Sequence, residues 1–524
     1  MHRCWEVSEI ARKIVGAFPP DPPKDNGSLP WRQNRETLLR LAMSCRLLSE
    51  PALDLLWKKQ ISLQNLLKLL PTNLTLKIPI ESSTPHGEVP CWKRFLFYSY
   101  RIRDIQISDR ESEMLHPLRS APVNCIFPNI LSIEWNITSP DTILHPELLL
   151  GPRLISVSLN LGYMLDFSEY APLLLFMAVH NLSLEELKVF THIPSGDAAR
   201  DFSEAFLDAI FACIIASKHL HSLRIPHLTE PMFRHLATVP HLRSLTFTHF
   251  RKFKVPHPRA QQPQLHRTIF PSLESLAICA NRLHDGVHEL LLNSATDIPL
   301  KHLECIANVA SSQEALHDIF AALPVHCSTG QLTGLTLWCE SLALDDPETD
   351  PIGLQIYSPI LRLRNLRHLR LKWPTGVALD DNVCSSMAEA WPYLITLKFY
   401  ANPNNIDPDS TPSLNITSLS AFARHCPHLF ALQLSLDAAR LAESDLDAAR
   451  FPFGQTTLGF LKVMYSTIED PQLVARFLRA IFPALRILDP TDNSLHEENG
   501  HSSMSARWRE VQTLLAGSED ENRV

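Results

Sequence analysis

One short pattern recurs along most of the chain: an aliphatic residue, two variable residues, an aliphatic residue, one variable residue and a further aliphatic residue. Examples are "PRLISVSL" from Pro152, "PHLRSLTF" from Pro240 and "YLITLKF" from Tyr393. The first aliphatic anchors of the fourteen segments are Ile102, Ile130, Leu154, Leu184, Leu220, Leu242, Leu273, Leu300, Leu332, Leu366, Leu394, Leu429, Leu458 and Leu485. Spacings of about 30 residues predict stacked repeats, because one such unit cannot bury its own apolar face.

The intervals between these segments have helical spacing. In residues 201–218, Phe202, Phe206, Ile210 and Ile214 recur every fourth position, which predicts one apolar helix face. A proline commonly follows each such stretch. Proline lacks an amide donor and disfavours helix in the residue before it, so it ends the helix and leads the chain into the next strand.

These segments resemble leucine-rich repeats, and "LESLAICANRL" (273–283) has the full consensus with Asn281 in the ladder position. The resemblance implies an α/β fold, a leucine-rich-repeat-like solenoid with parallel strands. We predict about fourteen irregular repeats over residues 90–490, preceded by a helical module at 1–70 and followed by a polar tail at 491–524. The segment "SARWREVQTLLAG" predicts a short helix within that tail. The alternative is a set of unrelated α/β domains in which the pattern arises by chance.

The first sixty residues have a different pattern. "EVSEIARKIVGAF", "RETLLRLAMSCRLLSE" and "ALDLLWKK" predict three amphipathic helices, with Pro51 ending the second one. The Pro, Gly, Asn and Asp content of residues 19–30 predicts a loop between the first two helices. Three short helices expose more apolar surface than they can bury, so we expect this module to dock on something.

The spacing L-x-x-L-A-x-x-C-R-x-x-x-x-P-A-x-x-x-L-W (38–57) resembles the second half of an F-box, and "VSEIARKIV" resembles its first half. The combination with repeats is similar to the large F-box protein sets of mushroom-forming fungi. The resemblance implies that the module binds a Skp1-like adaptor, and through it a cullin, while the repeats capture the protein substrate of an SCF-type ubiquitin ligase. The adaptor-binding residues that it implies are Val7, Ile10, Ile14, Leu38, Leu41, Cys45, Leu48, Pro51, Leu56 and Trp57. Two alternatives stay open: the helices only cap the repeat array, or the chain is a repeat-based interaction scaffold without a ligase.

Alternation along strands places the residues two, four and six after each anchor on the concave face of such repeats. From Leu332 through the Leu458 repeat these positions include four Lys or Arg and no acid, whereas the first four repeats include Asp104, Glu134 and Glu186 against one Lys188. The candidate substrate-binding residues are Trp338, His368, Arg370, Lys372, Lys398, Tyr400 and Lys462. We expect them to bind an acidic or phosphorylated protein segment. A chance spread of solvated charges is the alternative.

The net charge of -8 and the pI near 6.3 do not favour nucleic acid or an anionic membrane as a partner. The chain carries no apolar leader segment and no long apolar run, so we expect a cytoplasmic or nuclear protein.

No nucleotide-binding, hydrolase, zinc-protease or EF-hand motif occurs, so we expect neither an enzyme nor a cofactor. His284 and His288 have metal-capable spacing without a third ligand, and the acidic run 345–350 lacks the glycine turn of a calcium loop. We therefore predict no metal site.

Overall fold

The computed structural model describes residues 8–18, 30–70, 89–108, 111, 115, 118, 121–138, 146–162, 167–180, 183–191, 202–250, 269–282, 298–327, 331–341, 351–400, 412–446, 455–490 and 502–517. The chain divides into two compact units, Met1–Pro226 and His227–Val524. Val7, His284, His288 and the acidic run 345–350 lie outside the described residues.

The first unit is built on six parallel strands that pair in chain order. They are β1 (Lys59–Gln60), β2 (Asp104–Ile107), β3 (Ser132–Ile137), β4 (Ser156–Leu161), β5 (Glu186–Thr191) and β6 (Ser222–Leu228), the last of which runs into the second unit. Its helices are α1 (Ser8–Gly16), α2 (Pro30–Ser44), α3 (Arg46–Lys58), α4 (Gln64–Leu67), α5 (Val89–Ser99), α6 (Pro146–Leu149), α7 (Ala171–Val179) and α8 (Glu204–Ala216), with a 3-10 turn at Phe167–Tyr170.

The second unit repeats this arrangement. Its parallel strands are β7 (Ser244–Phe250), β8 (Ser275–Arg282), β9 (His302–Val309), β10 (Gly334–Ser341), β11 (His368–Lys372), β12 (Thr396–Tyr400), β13 (Ala431–Leu434), β15 (Phe460–Val463) and β17 (Ile487–Asp489). Two short strands, β14 (Asp437–Ala438) and β16 (Thr467–Ile468), pair separately. Its helices are α9 (Glu230–Leu236), α10 (Gln313–His326), α11 (Leu354–Tyr357), α12 (Asp381–Ala390), α13 (Leu419–His425), α14 (Pro471–Ile481) and α15 (Ser502–Gly517), with 3-10 turns at Ser358–Arg362, Ile416–Ser418 and Glu443–Leu446.

The fourteen predicted anchors set the register of the parallel strands in each unit. Each anchor lies two residues before a parallel strand, and every one of them is buried. Within the strand, buried and more exposed residues alternate, as in β11, where Leu369 and Leu371 are buried and Arg370 is exposed. The predicted α/β class, with parallel strands of the leucine-rich-repeat type and helices at the N-terminus, is therefore confirmed.

The sequence pattern missed strand β1. It has only two residues, Lys59 and Gln60, and these pair with Asp104 and Ile105 of β2. A strand this short carries no aliphatic triplet, so the repeat pattern could not reveal it. The pairing joins the end of the N-terminal helices directly to the first repeat, and the predicted domain limits at 70 and 490 stay predictions.

The N-terminal helices have a small core of their own. Ala11 and Val15 of α1 pack with Leu38 of α2 and with Leu48 and Ala52 of α3. The predicted helix end at Pro51 is wrong, because the break between α2 and α3 falls at Cys45, which has an extended backbone. Packing of Leu48 and Ala52 on both sides of Pro51 holds α3 together, although proline removes one helical hydrogen bond.

The last described helix, α15, lies in the segment for which a helix was predicted. The indole of Trp508 is buried, and its N–H donates to the carbonyl of Ser466 at 2.9 Å. Val511 is also fully buried. This helix therefore covers the final repeats, as the terminal caps of repeat proteins do.

Candidate functional site

The exposed face of the second unit's sheet is organised in columns, because parallel strands in register place equivalent residues side by side. One column runs from Thr336 through Arg370 and Lys398 to Gln433 and Lys462. The next column, two residues further along each strand, contains Trp338, Lys372 and Tyr400. The register thus brings together most of the residues that the sequence singled out.

Trp338, Lys372 and Tyr400 form an aromatic cluster around one cation. The Lys372 ammonium lies 4.4 Å from the centroid of the Trp338 ring, and the rings of Trp338 and Tyr400 are 4.9 Å apart. Burial raises the pKa of the Tyr400 hydroxyl, with a smaller opposing effect of Arg370. Tyr400 is therefore a neutral hydrogen-bonding group at the edge of this cluster.

Arg370 and Lys398 are neighbours across the β11–β12 pair. Within the described part of the chain, neither takes part in an ion pair. Burial lowers the pKa of Lys398, and the nearby charges of Arg370 and Lys462 lower it further. No described carboxylate therefore balances the positive charges of Arg370 and Lys398 in this column. A bound anion would relieve the repulsion between them.

Lys462 differs from these two residues. It is buried, and its ammonium lies 3.4 Å from a carboxylate oxygen of Asp489 in the last strand. Gln433 separates it from Lys398 and donates to the sulfur of Met464 at 2.8 Å. Lys462 is therefore already paired, and its contact with a ligand stays a prediction.

His368 lies two residues before Arg370 on β11, in a third column between Gly334 and Thr396. Burial lowers the pKa of its imidazole, and the charge of Arg370 adds to the effect. The ring is therefore held toward its neutral form, so it offers one donor and one acceptor and adds little charge to the column.

An acidic residue lies at each end of the basic column. Asp489 lies at the C-terminal side, and Glu304 stands beside Thr336 on β9. The sequence analysis did not include them because it covered only the repeats from Leu332 to Leu458. The same rule would have identified both, since each lies four residues after an anchor, Leu300 or Leu485.

The sheet face of the first unit is mainly polar and internally paired. Lys188 forms an ion pair with Glu186 at 2.6 Å, and Ser156 donates to the same carboxylate at 2.7 Å. Glu134 accepts weak hydrogen bonds from Gln106 at 3.3 Å and Asn160 at 3.4 Å. These acids therefore already have partners within the face.

The implied adaptor-binding residues occupy three different environments. Leu38 and Leu48 belong to the core of the three helices, and Leu41 and Leu56 pack against that core. Trp57 faces the first repeat, because its ring centroid is 4.6 Å from that of Tyr98 on α5. The remaining described members are Ile10 and Cys45, which are exposed, and Ile14 and Pro51, which are half-buried. Their contact with an adaptor stays a prediction.

Leu39 and Met43 form an apolar pair on the outer side of α2. They are 48% and 72% exposed and lie four residues apart, on one helix face. The sequence analysis assigned adaptor binding to the helix face with Leu38 and Leu41 instead, and that face packs against the core of the three helices. The run of apolar residues on both sides of α2 was the available signal.

An ion-pair cluster attaches α3 to the first repeat. Arg101 bridges the carboxylates of Glu50 and Asp54, and its guanidinium lies 4.4 Å from the ring centroid of Phe97. The helical module is therefore anchored at its last helix, while the outer side of α2 is exposed.

Within the described ranges, no group of three or more His, Cys, Asp or Glu residues is placed to hold a metal ion. No helix in the described part of the chain is both long and apolar enough to cross a bilayer.

No protein-family model matches the chain, and no curated protein matches it. Similar solved structures include an internalin (inlF) from Listeria monocytogenes, with 14% identity, a TM-score of 0.33 and coverage of 70% of this chain and 82% of the other. Another is the Rad7 and Elc1 complex in yeast, with 13% identity, a TM-score of 0.31 and coverage of 95% and 92%. The fold assignment rests on the strand pairing and repeat register of this chain itself.

Proposed function

We propose that this protein is the substrate-recognition subunit of an SCF-type ubiquitin ligase. In this proposal the N-terminal helices bind a Skp1-like adaptor, and through it a cullin, while the repeats capture a protein substrate. The observation that carries it is that the F-box-like segment folds as three helices with their own core and leaves Leu39 and Met43 outside. An apolar pair of this kind is suited to a partner helix or groove.

Purified Skp1 binding to the full chain tests the adaptor role. The double variant Leu39→Asp, Met43→Asp should lose binding, because a carboxylate in an apolar interface is desolvated without a partner. The control is Leu175→Asp, Val179→Asp on α7, since these residues have the same spacing and exposures of 45% and 74%. Equal binding by both double variants would contradict adaptor docking through α2.

A second candidate role for the helices is to cap the repeat array. The pairing of β1 with β2 and the contact of Trp57 with Tyr98 favour it, since both cover the first repeat. The chain would then be an interaction scaffold without a ligase. Absence of Skp1 binding by the wild-type chain, together with retained substrate capture, would favour this role.

Substrate capture is assigned to the column of Arg370 and Lys398 and the adjoining Trp338, Lys372 and Tyr400 cluster. An acidic or phosphorylated segment would supply the missing counter-charge, at roughly 1.5–3 kcal/mol for each charge-assisted hydrogen bond. Binding should weaken with added salt, because these groups are partly exposed.

A further inference from the structure

A pocket of about 270 Å³ lies beside the basic column, at the ends of strands β11, β12, β13 and β15. Its lining is mixed. The larger apolar residues are Pro351, Val377, Leu379, Phe399, Pro412 and Leu414, and the residues with hydroxyl groups are Thr375, Ser413, Ser435, Tyr400 and Tyr465. Tyr400 therefore belongs to both the pocket and the aromatic cluster. The pocket volume is close to the lower limit of the roughly 300–1,000 Å³ of small-molecule sites, so the pocket has room for one bulky side chain.

The walls of this pocket are fixed by backbone hydrogen bonds. The amide of Ile352 donates to the carbonyl of Gly376 at 3.1 Å, and the amide of Ala378 donates back to Ile352 at 2.9 Å. The hydroxyl of Ser413 donates to the carbonyl of Leu379 at 2.7 Å. The cavity is therefore preformed, which limits the ordering cost of binding.

One polar group in the wall is Thr375. Its hydroxyl oxygen is buried and has no hydrogen-bond partner among the residues that the structure describes. Most buried polar groups in proteins are hydrogen-bonded. The Thr375 hydroxyl is an exception to this rule, and it is closed off from solvent.

We propose that the basic column and this pocket form one two-point site for an extended protein segment that carries a phosphorylated or acidic residue and, two residues away, a bulky aliphatic side chain. The proposal rests on the substrate-receptor function above and specifies its substrate class. Arg370 and Lys398 bind the anion, and the pocket behind Tyr400 receives the aliphatic side chain.

The spacing follows from strand geometry. The columns of Arg370 and Tyr400 are two residues apart along neighbouring strands, or about 7 Å. In an extended peptide, side chains two residues apart lie on the same side and are separated by the same distance. A segment that runs along the strands can therefore place its anion at the Arg370 column and its second side chain at Tyr400, which lines the pocket.

Synthetic nonapeptides and the full-length chain test this site by fluorescence anisotropy. The peptides have Gly-Ser backgrounds with a central phosphoserine, glutamate or serine, and with Leu or Ala two residues before or after it. The phosphoserine–Leu peptide of one orientation should bind at least about tenfold tighter than its Ala counterpart and than its unphosphorylated counterpart. No detectable binding by any peptide, or equal affinities with Leu and Ala, would overturn the proposal.

Protein variants separate the two points. Val377→Asp should abolish the advantage of Leu over Ala, and Arg370→Glu should abolish the advantage of phosphoserine over serine. Val325→Asp on α10, where the valine is 63% exposed and does not line the pocket, is the surface control. If Val325→Asp lost the preference for Leu over Ala as fully as Val377→Asp, the pocket assignment would be overturned. If Val377→Asp fails to fold, the comparison of the Leu and Ala peptides on the wild-type chain decides the matter.

The adaptor measurement distinguishes this site from the ligase role. Val377→Asp should bind Skp1 as the wild type does, because the pocket and the helices lie in different units. Two-point peptide binding without Skp1 binding would refute the ligase function and retain the site. Skp1 binding without the peptide selectivity would refute the site alone.

Discussion

Leu369 is the residue at which the repeat register can be tested most sharply. Its side chain is fully buried in β11, and its neighbours in register, Leu335 and Leu397, are buried on either side. Leu369→Ala removes three carbons from a layer whose flanking strands are hydrogen-bonded in place and cannot collapse. The free energy of unfolding of the surrounding repeats should fall by about 3–5 kcal/mol, the upper part of the usual range for such truncations.

Hydrogen exchange with mass spectrometry locates this loss. Repeats contact mainly their neighbours, so protection should fall by at least about 100-fold in β10, β11 and β12, while β3 and β4 keep theirs. Arg370→Ala is the neighbouring control, because the exposed side chain should contribute less than about 0.5 kcal/mol. Leu369→Asp should unfold these repeats outright, since it buries an unpaired charge.

Two results would refute the reasoning. If Leu369→Ala exchanged and melted like the wild type, the anchors would not form the core. If Arg370→Ala lost as much protection as Leu369→Ala, the alternation of buried and exposed residues would be wrong.

Three further predictions concern contacts elsewhere. Arg101→Ala should speed hydrogen exchange in α3 several-fold, because the partly exposed ion pairs of Arg101 contribute about 1 kcal/mol to the stability of that helix. Unchanged exchange would mean that apolar packing alone holds α3. Gln455→Leu should lower the melting temperature, because the buried amide of Gln455 donates to backbone carbonyls and accepts from backbone N–H groups. Each of these backbone groups costs about 1–3 kcal/mol when it is left unpaired. An unchanged melting temperature would contradict this role. His368→Asn should reduce the loss of stability on acidification. The folded pKa of His368 is lowered, so the unfolded chain binds more protons than the folded chain as the pH falls through the usual 6.5 and toward the folded value. Melting curves of the variant that are identical to those of the wild type at both pH 7.5 and pH 5.5 would contradict this prediction.

The sequence alone determined the repeat register. An aliphatic triplet followed by helical spacing and a proline is a local signal, and it recurs often enough that all fourteen anchors could be placed two residues before a strand. The columns of Arg370 with Lys398 and of Lys372 with Tyr400 follow from that register, because neighbouring parallel strands align equivalent positions. Three N-terminal helices were likewise predictable from their apolar spacing, although the break at Cys45 was not.

Tertiary packing decided the remaining features, because each depends on residues far apart in the sequence. Apolar residues line both sides of α2, and only contact with α1 and α3 buries Leu38 while leaving Leu39 and Met43 exposed. The ion pair of Lys462 with Asp489 joins two successive repeats. The pocket beside Tyr400 is built from residues of five repeats, and a pattern within one repeat cannot show how their loops meet. Periodicity fixes the positions along each strand, whereas exposure and charge balance are set by what packs against them.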